Sequence, residues 1–149
     1  MDVSESLTAQ AGLMNELVSH LLLPRLESAG LTMSTFEVLS AIRASEKGAS
    51  QAAIARRMGV RPPTLSETVK VLVVRGFVNQ TVSPDDSRSK HLTLTLRGHA
   101  ALRKVLTELA NAEVLMKEGI STEDLQTAIQ VLKACNKTLA QMTNEATIE

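Results

Sequence analysis

Tryptophan and tyrosine are absent, and Phe36 and Phe77 are the only aromatic residues in the chain. A core with so few rings must be filled by Leu, Val, Ile, Ala and Met, which suits packed helices. One cysteine, Cys135, excludes an internal disulfide and points to a cytoplasmic protein. No apolar run approaches the roughly 18 residues that a membrane helix needs. The start, MDVSES, is acidic and polar, unlike a secretory signal. No Ser–His–acid set, carboxylate pair or Gly-rich phosphate loop stands out, so an enzyme is not expected and neither is a cofactor. The three histidines, His20, His91 and His99, lack a ligand spacing such as i, i+4, so no metal site is expected.

What is present is a division of charge. The chain is formally neutral, with 16 basic and 16 acidic residues. Between residues 43 and 104, however, twelve Lys and Arg face four Asp and Glu, a net +8, and the flanks carry the balancing −8. A chain polarised in this way can turn a basic face to a polyanion and stay soluble. Chance clustering of solvated charges explains the same numbers, so charge alone leaves both readings open.

The periodicity of apolar residues orders the chain. Leu7, Ala11, Met14, Leu17 or Val18, and Leu21 recur at helical spacing within residues 4–27, where Pro24 should kink or end the helix. STFE at 34–37 has the form of a capping box and opens a helix to about Ala44, with Phe36, Leu39 and Ile42 inward. Ser50 can cap QAAIARRMG, which Gly59 stops. Pro62 and Pro63 can start the next helix, which puts Leu65, Val69 and Leu72 inward and closes at Gly76. The period then changes to two, so that FVNQTV and KHLTLTL read as an antiparallel hairpin. Thr95 should cap a long helix over about 97–117, and STED at 121–124 a last one, on whose seam Cys135 falls.

Helix, tight turn, helix, hairpin is the order of a winged helix-turn-helix. In such a unit the second helix can enter a major groove by its N-terminal part. The exposed positions there are Pro63, Thr64, Ser66, Glu67, Lys70 and Val71, mostly small or polar side chains suited to close approach. Spacing alone is a weak signal, since any three-helix core can mimic it. The hairpin adds the specific part.

GLTMSTFEVL at 30–39, IARRMGVRPPTLSETVKVLVVRGFV at 54–78 and SPDDSRSKHLTLTLRG at 83–98 resemble the MarR (multiple antibiotic resistance regulator) family of winged helix-turn-helix transcription factors. The most specific match is the wing pattern of Asp86, Arg88, Ser89–Lys90, Leu94–Thr95 and Gly98. The resemblance implies a mainly α fold with a two-stranded wing and long N- and C-terminal dimerisation helices. It makes 1–149 one domain, with a DNA-binding core at about 31–97 and a helical dimerisation region at about 1–30 and 98–149. Its partners would be double-stranded DNA and a second copy of the chain, without a membrane. The set expected at DNA is Ser50, Arg61, Pro63, Thr64, Ser66, Glu67, Lys70, Asp86, Arg88 and Lys90. By resemblance Arg88 reaches a minor groove from the wing tip, held by Asp86. The function implied is a regulator, expected to be a repressor, bound to an inverted-repeat operator and released by a signal.

The family commonly holds small anions in a cleft between its dimer helices and the winged domain. Met14, Leu17, His20, Leu21, Met33 and Phe36 could line such an effector cleft or be plain core. Two residues depart from the family pattern: Glu67 stands where a basic residue is frequent, and Thr68 where an apolar one is common. Both bear on which sequence is read. The rival readings are a redox- or metal-responsive sensor of the same fold, through Cys135 or His20, and a winged-helix protein-interaction module without DNA binding.

Overall fold

The computed structural model describes residues 3–45, 49–82 and 90–145. Met1–Ala110 forms one compact unit and Asn111–Glu149 a second. In the first unit, a short 3-10 turn at Val3–Glu5 leads into helix α1, Leu7–Ala29, whose N-cap Ser6 accepts from the Ala9 N–H. The helix does not end at Pro24. It continues to Gly30, whose left-handed φ of 70° lets the cap N–H reach the carbonyls of Leu26 and Glu27. An interior proline removes one backbone hydrogen bond and costs about 3 kcal/mol. Leu22 and Leu26 flank it and are both buried in the core, and burial of a leucine contributes about 1.5–3 kcal/mol each. That packing offsets the lost bond.

Helix α2, Met33–Arg43, starts one residue before the Ser34 expected as its cap. Its N-cap is Thr32, in a reciprocal box with Thr35: the Thr35 N–H donates to Thr32 Oγ1, and the Thr32 N–H to Thr35 Oγ1. Thr35 takes the place usually filled by Glu or Gln, and Glu37 stays exposed. Phe36, Leu39 and Ile42 are buried. The two-residue strand β1, Ala49–Ser50, comes next. Helix α3, Gln51–Met58, is capped by the Ser50 hydroxyl, which accepts from the Ala53 N–H at 3.1 Å, and ends at Gly59 with φ 64°. Helix α4, Pro62–Val74, begins with its prolines in the first turn, where no intrahelical N–H is lost. Leu65, Val69 and Leu72 are fully buried.

Strands β2, Val78–Val82, and β3, Lys90–Leu94, pair antiparallel with Val78 opposite Leu94 and Val82 opposite Lys90. β1 joins the other side of β3, Ala49 opposite Leu92 and Ser50 opposite His91, so the sheet order is β1-β3-β2. The third strand was not expected. Val78 and Leu92 anchor the hairpin in the core.

Helix α5, Leu96–Met116, runs from the first unit into the second. Thr95 fixes its start: the Gly98 N–H donates to Thr95 Oγ1 at 3.0 Å, and that hydroxyl donates to the Gly76 carbonyl at 2.7 Å. Leu102 and Val105 are buried with Leu39, Leu72 and Leu92 in one cluster. Arg25 of α1 donates to Glu108 of α5 at 2.9 Å. In the second unit the chain turns at Gly119, φ 79°, into helix α6, Thr122–Glu145. The Ser121 hydroxyl accepts from the Asp124 backbone N–H at 3.0 Å and donates to the Asp124 carboxylate at 2.6 Å, which closes the cap.

Candidate nucleic-acid interface

Burial divides α4 into two faces. Leu65, Val69 and Leu72 hold it to the core, while Pro63, Thr64, Glu67 and Lys70 are exposed and Ser66 is half-buried. Arg61, at the N-cap, is exposed and makes no side-chain cap bond. The outer side of the first turns therefore offers small and polar groups with their hydrogen-bonding capacity largely open. Thr68 spends its hydroxyl within the helix, donating to the Thr64 carbonyl at 3.3 Å. This accommodates a polar residue at a position where an apolar one is common.

Glu67 and Lys70 form an ion pair, Lys70 Nζ to Glu67 Oε1 at 2.6 Å. The carboxylate that set this helix apart from the family pattern is thus matched on its own helix, one turn along. The i, i+3 spacing is legible in the sequence, but spacing alone does not fix the rotamers that bring the two charges together.

Two expected positions need a different description. The Ser50 hydroxyl accepts the α3 cap bond and its backbone belongs to β1, so its first role is structural. Lys90 is the first residue of β3, opposite Val82, and is exposed. Asp86 and Arg88 lie outside the described residues.

The base of the wing is tied to the helices by contacts that sequence reasoning did not find. Gln80 of β2 donates to Gln51 of α3 at 2.8 Å. Arg75 and Arg97 stack over the Phe77 ring, at 5.4 and 4.9 Å from its centroid. The Thr95 N–H donates to the Phe77 carbonyl, and Gly98 lies so close to that carbonyl that a Cβ there would overlap it. A glycine after Leu-Thr was the sequence signal for this last contact; the Gln51–Gln80 bond spans 29 residues and has no local signal.

The six residues weighed for an effector cleft separate. Phe36 is buried and Met33 is partly buried against the same core, whereas Met14, Leu17, His20 and Leu21 stand exposed on α1. Cys135 is half-buried on α6. Among the described residues, no group of three or more His, Cys, Asp or Glu is placed to hold a metal ion, and no helix is long and apolar enough to cross a membrane.

Residues 29–89 match the model of the MarR family. An uncharacterized HTH-type transcriptional regulator of Staphylococcus aureus is 30% identical over 93 residues, which cover 61% of this chain and 64% of that relative. The matched region thus spans just under two thirds of the relative's length. Among solved structures, CouR from Rhodococcus jostii, a transcriptional repressor bound to a 23-mer DNA duplex, is 26% identical, with a TM-score of 0.76 over 91% of this chain and 95% of that one. A mutant of MarR from Escherichia coli complexed with operator DNA has the same fold at 21% identity, with a TM-score of 0.73 over 87% of this chain and 92% of that one. In its matched segment, its α3–turn–α4 unit and the hairpin that follows, the chain is similar to the MarR-family transcription regulators and shares their winged helix-turn-helix fold.

Proposed function

We propose that the protein is a sequence-specific DNA-binding transcriptional regulator that acts as a homodimer on an inverted-repeat operator, as a repressor released by a signal. The observation that carries this reading is the two-faced α4: its apolar side is locked into the core by Leu65, Val69 and Leu72, and its outer side is polar and exposed at the end that a helix-turn-helix offers to a major groove. The excess of basic residues in the middle of the sequence supports a polyanionic partner, since Arg43, Arg56, Arg57, Arg61, Arg75, Lys90, Arg103 and Lys104 are all exposed. Duplex DNA in the structures of CouR and of the MarR mutant adds support from the family. Homodimerisation is supported by apolar side chains left in the open, Leu7, Met14, Leu17 and Leu21 on α1 and Ile129, Leu139 and Met142 on α6.

The test is the salt dependence of binding to duplex DNA. A dimer that neutralises about 6–10 phosphates loses roughly 10³–10⁵ in affinity between about 50 and 200 mM salt. That steep fall is the expected result. A flat response, or no binding at low salt, refutes the reading and favours a protein-interaction module.

A further inference from the structure

We propose that Glu67 and Lys70 act as one recognition unit that reads a single C·G base pair in each half-site through its major-groove edge. The inference rests on the reading of α4 as the recognition helix and names what that helix selects.

The pair has no role in holding the fold together. Both side chains are about two thirds or more exposed, at 73% for Glu67 and 67% for Lys70. An exposed ion pair of this kind adds little to stability. Both project from the side of α4 opposite Leu65, Val69 and Leu72, within its second and third turns. A lone carboxylate on that face would be repelled by the phosphates lining a groove. An ammonium at 2.6 Å removes most of that penalty, and the carboxylate can then approach a base.

The arrangement left by the ion pair is an acceptor beside a donor. Glu67 Oε1 is engaged by Lys70 Nζ, which leaves Oε2 free to accept and two ammonium protons free to donate. The major-groove edge of a C·G pair presents the complement: the cytosine N4 amino group beside the guanine O6, with guanine N7 next to it. Cytosine N4 and guanine O6 are themselves hydrogen-bonded, at about 2.7–3.2 Å. The carboxylate and the ammonium are adjacent in the same way, with Nζ 2.6 Å from Oε1, so carboxylate can face amine and ammonium can face carbonyl together. An A·T pair also offers the carboxylate a donor, but its two acceptors lie on either side of that donor. The thymine methyl further crowds O4. The ammonium then finds one acceptor where guanine supplies two side by side. C·G is therefore favoured, with A·T second.

The experiment is selection of bound duplexes from random DNA by the intact protein, repeated with Glu67→Ala, Lys70→Ala and the double variant. Affinities are then measured on the enriched duplex with the C·G pair kept, changed to T·A, or carrying inosine for guanine. The wild type should enrich one C·G pair per half-site that depends on these residues. T·A should weaken binding by about 5- to 150-fold, and inosine, which keeps O6 and N7, should bind like guanine. Either single variant should lose that discrimination, and the double variant should lose little more, because the two act together. Circular dichroism melting of the variants should match wild type, which separates lost recognition from lost folding. An enriched sequence that Glu67→Ala leaves unchanged, or single variants that relax two different base pairs independently, overturns the proposal and leaves α4 as a DNA reader. Enrichment of no sequence by the wild type overturns the α4 reading and this proposal with it.

Discussion

Gly98 sits in the first turn of α5, against the Phe77 carbonyl that also accepts the Thr95 N–H. In an ordinary helix position, Gly→Ala gains up to about 1 kcal/mol in propensity. Here the added methyl meets backbone, which no rotamer change relieves, and overpacking of that kind costs about 1–3 kcal/mol. Repulsion wins, so Gly98→Ala should lower Tm by roughly 2–12 °C, measured by calorimetry; an unchanged or raised Tm would show that the wing base yields easily. Arg88 lies in sequence between two serines and among charged residues, with no apolar neighbour to suggest a core role. Arg88→Ala should therefore weaken operator binding by about 1–3 kcal/mol, most strongly where A·T pairs narrow the minor groove. Its melting should stay within about half a kcal/mol of wild type. Equal operator affinity in wild type and variant would remove the wing from the interface.

Elements with a strong period were legible from sequence, and those held by single side chains were less so. Phe36, Leu39 and Ile42, like Leu65, Val69 and Leu72, repeat at helical spacing and are buried as that spacing requires. The start of α2 was misplaced because Ser34 and Glu37 fit a capping box as well as Thr32 and Thr35 do in sequence, and only the backbone decides between them. β1 escaped notice because two residues have no period; its pairing with β3 comes from tertiary structure. On α6, Leu125, Leu132 and Cys135 are half-buried, while Ile129, Leu139 and Met142 are exposed. If this apolar side belongs to a subunit contact, Leu132→Asp places a charge within it. Sedimentation of the intact chain should give a dimer at micromolar concentration, and of Leu132→Asp a monomer or aggregate. A well-folded wild-type monomer would refute dimerisation through these helices.

In the molecule as a whole, formal neutrality hides a basic middle and acidic flanks. The order of helix, turn, helix and hairpin was legible because each segment carries its own period and stop signal, Gly59 and Gly76 among them. The ties that fix the wing on that frame were not. Gln51 to Gln80, and Arg75 and Arg97 over Phe77, join residues that nothing local connects. The Glu67–Lys70 pair lies between these cases, local in spacing but visible only once α4 was seen to turn both side chains outward. Helical spacing on α1 likewise does not say whether a residue meets the core or stands exposed, and Met14, Leu17, His20 and Leu21 are exposed while Phe36 is buried. Under the proposed function, two copies of α4 read two halves of a symmetric site. Selection of bound sequences from random duplex DNA tests it most directly. An inverted repeat should emerge, its half-sites about 10 base pairs apart centre to centre or a multiple of that. Enrichment of direct repeats, of isolated half-sites or of no sequence at all would contradict it.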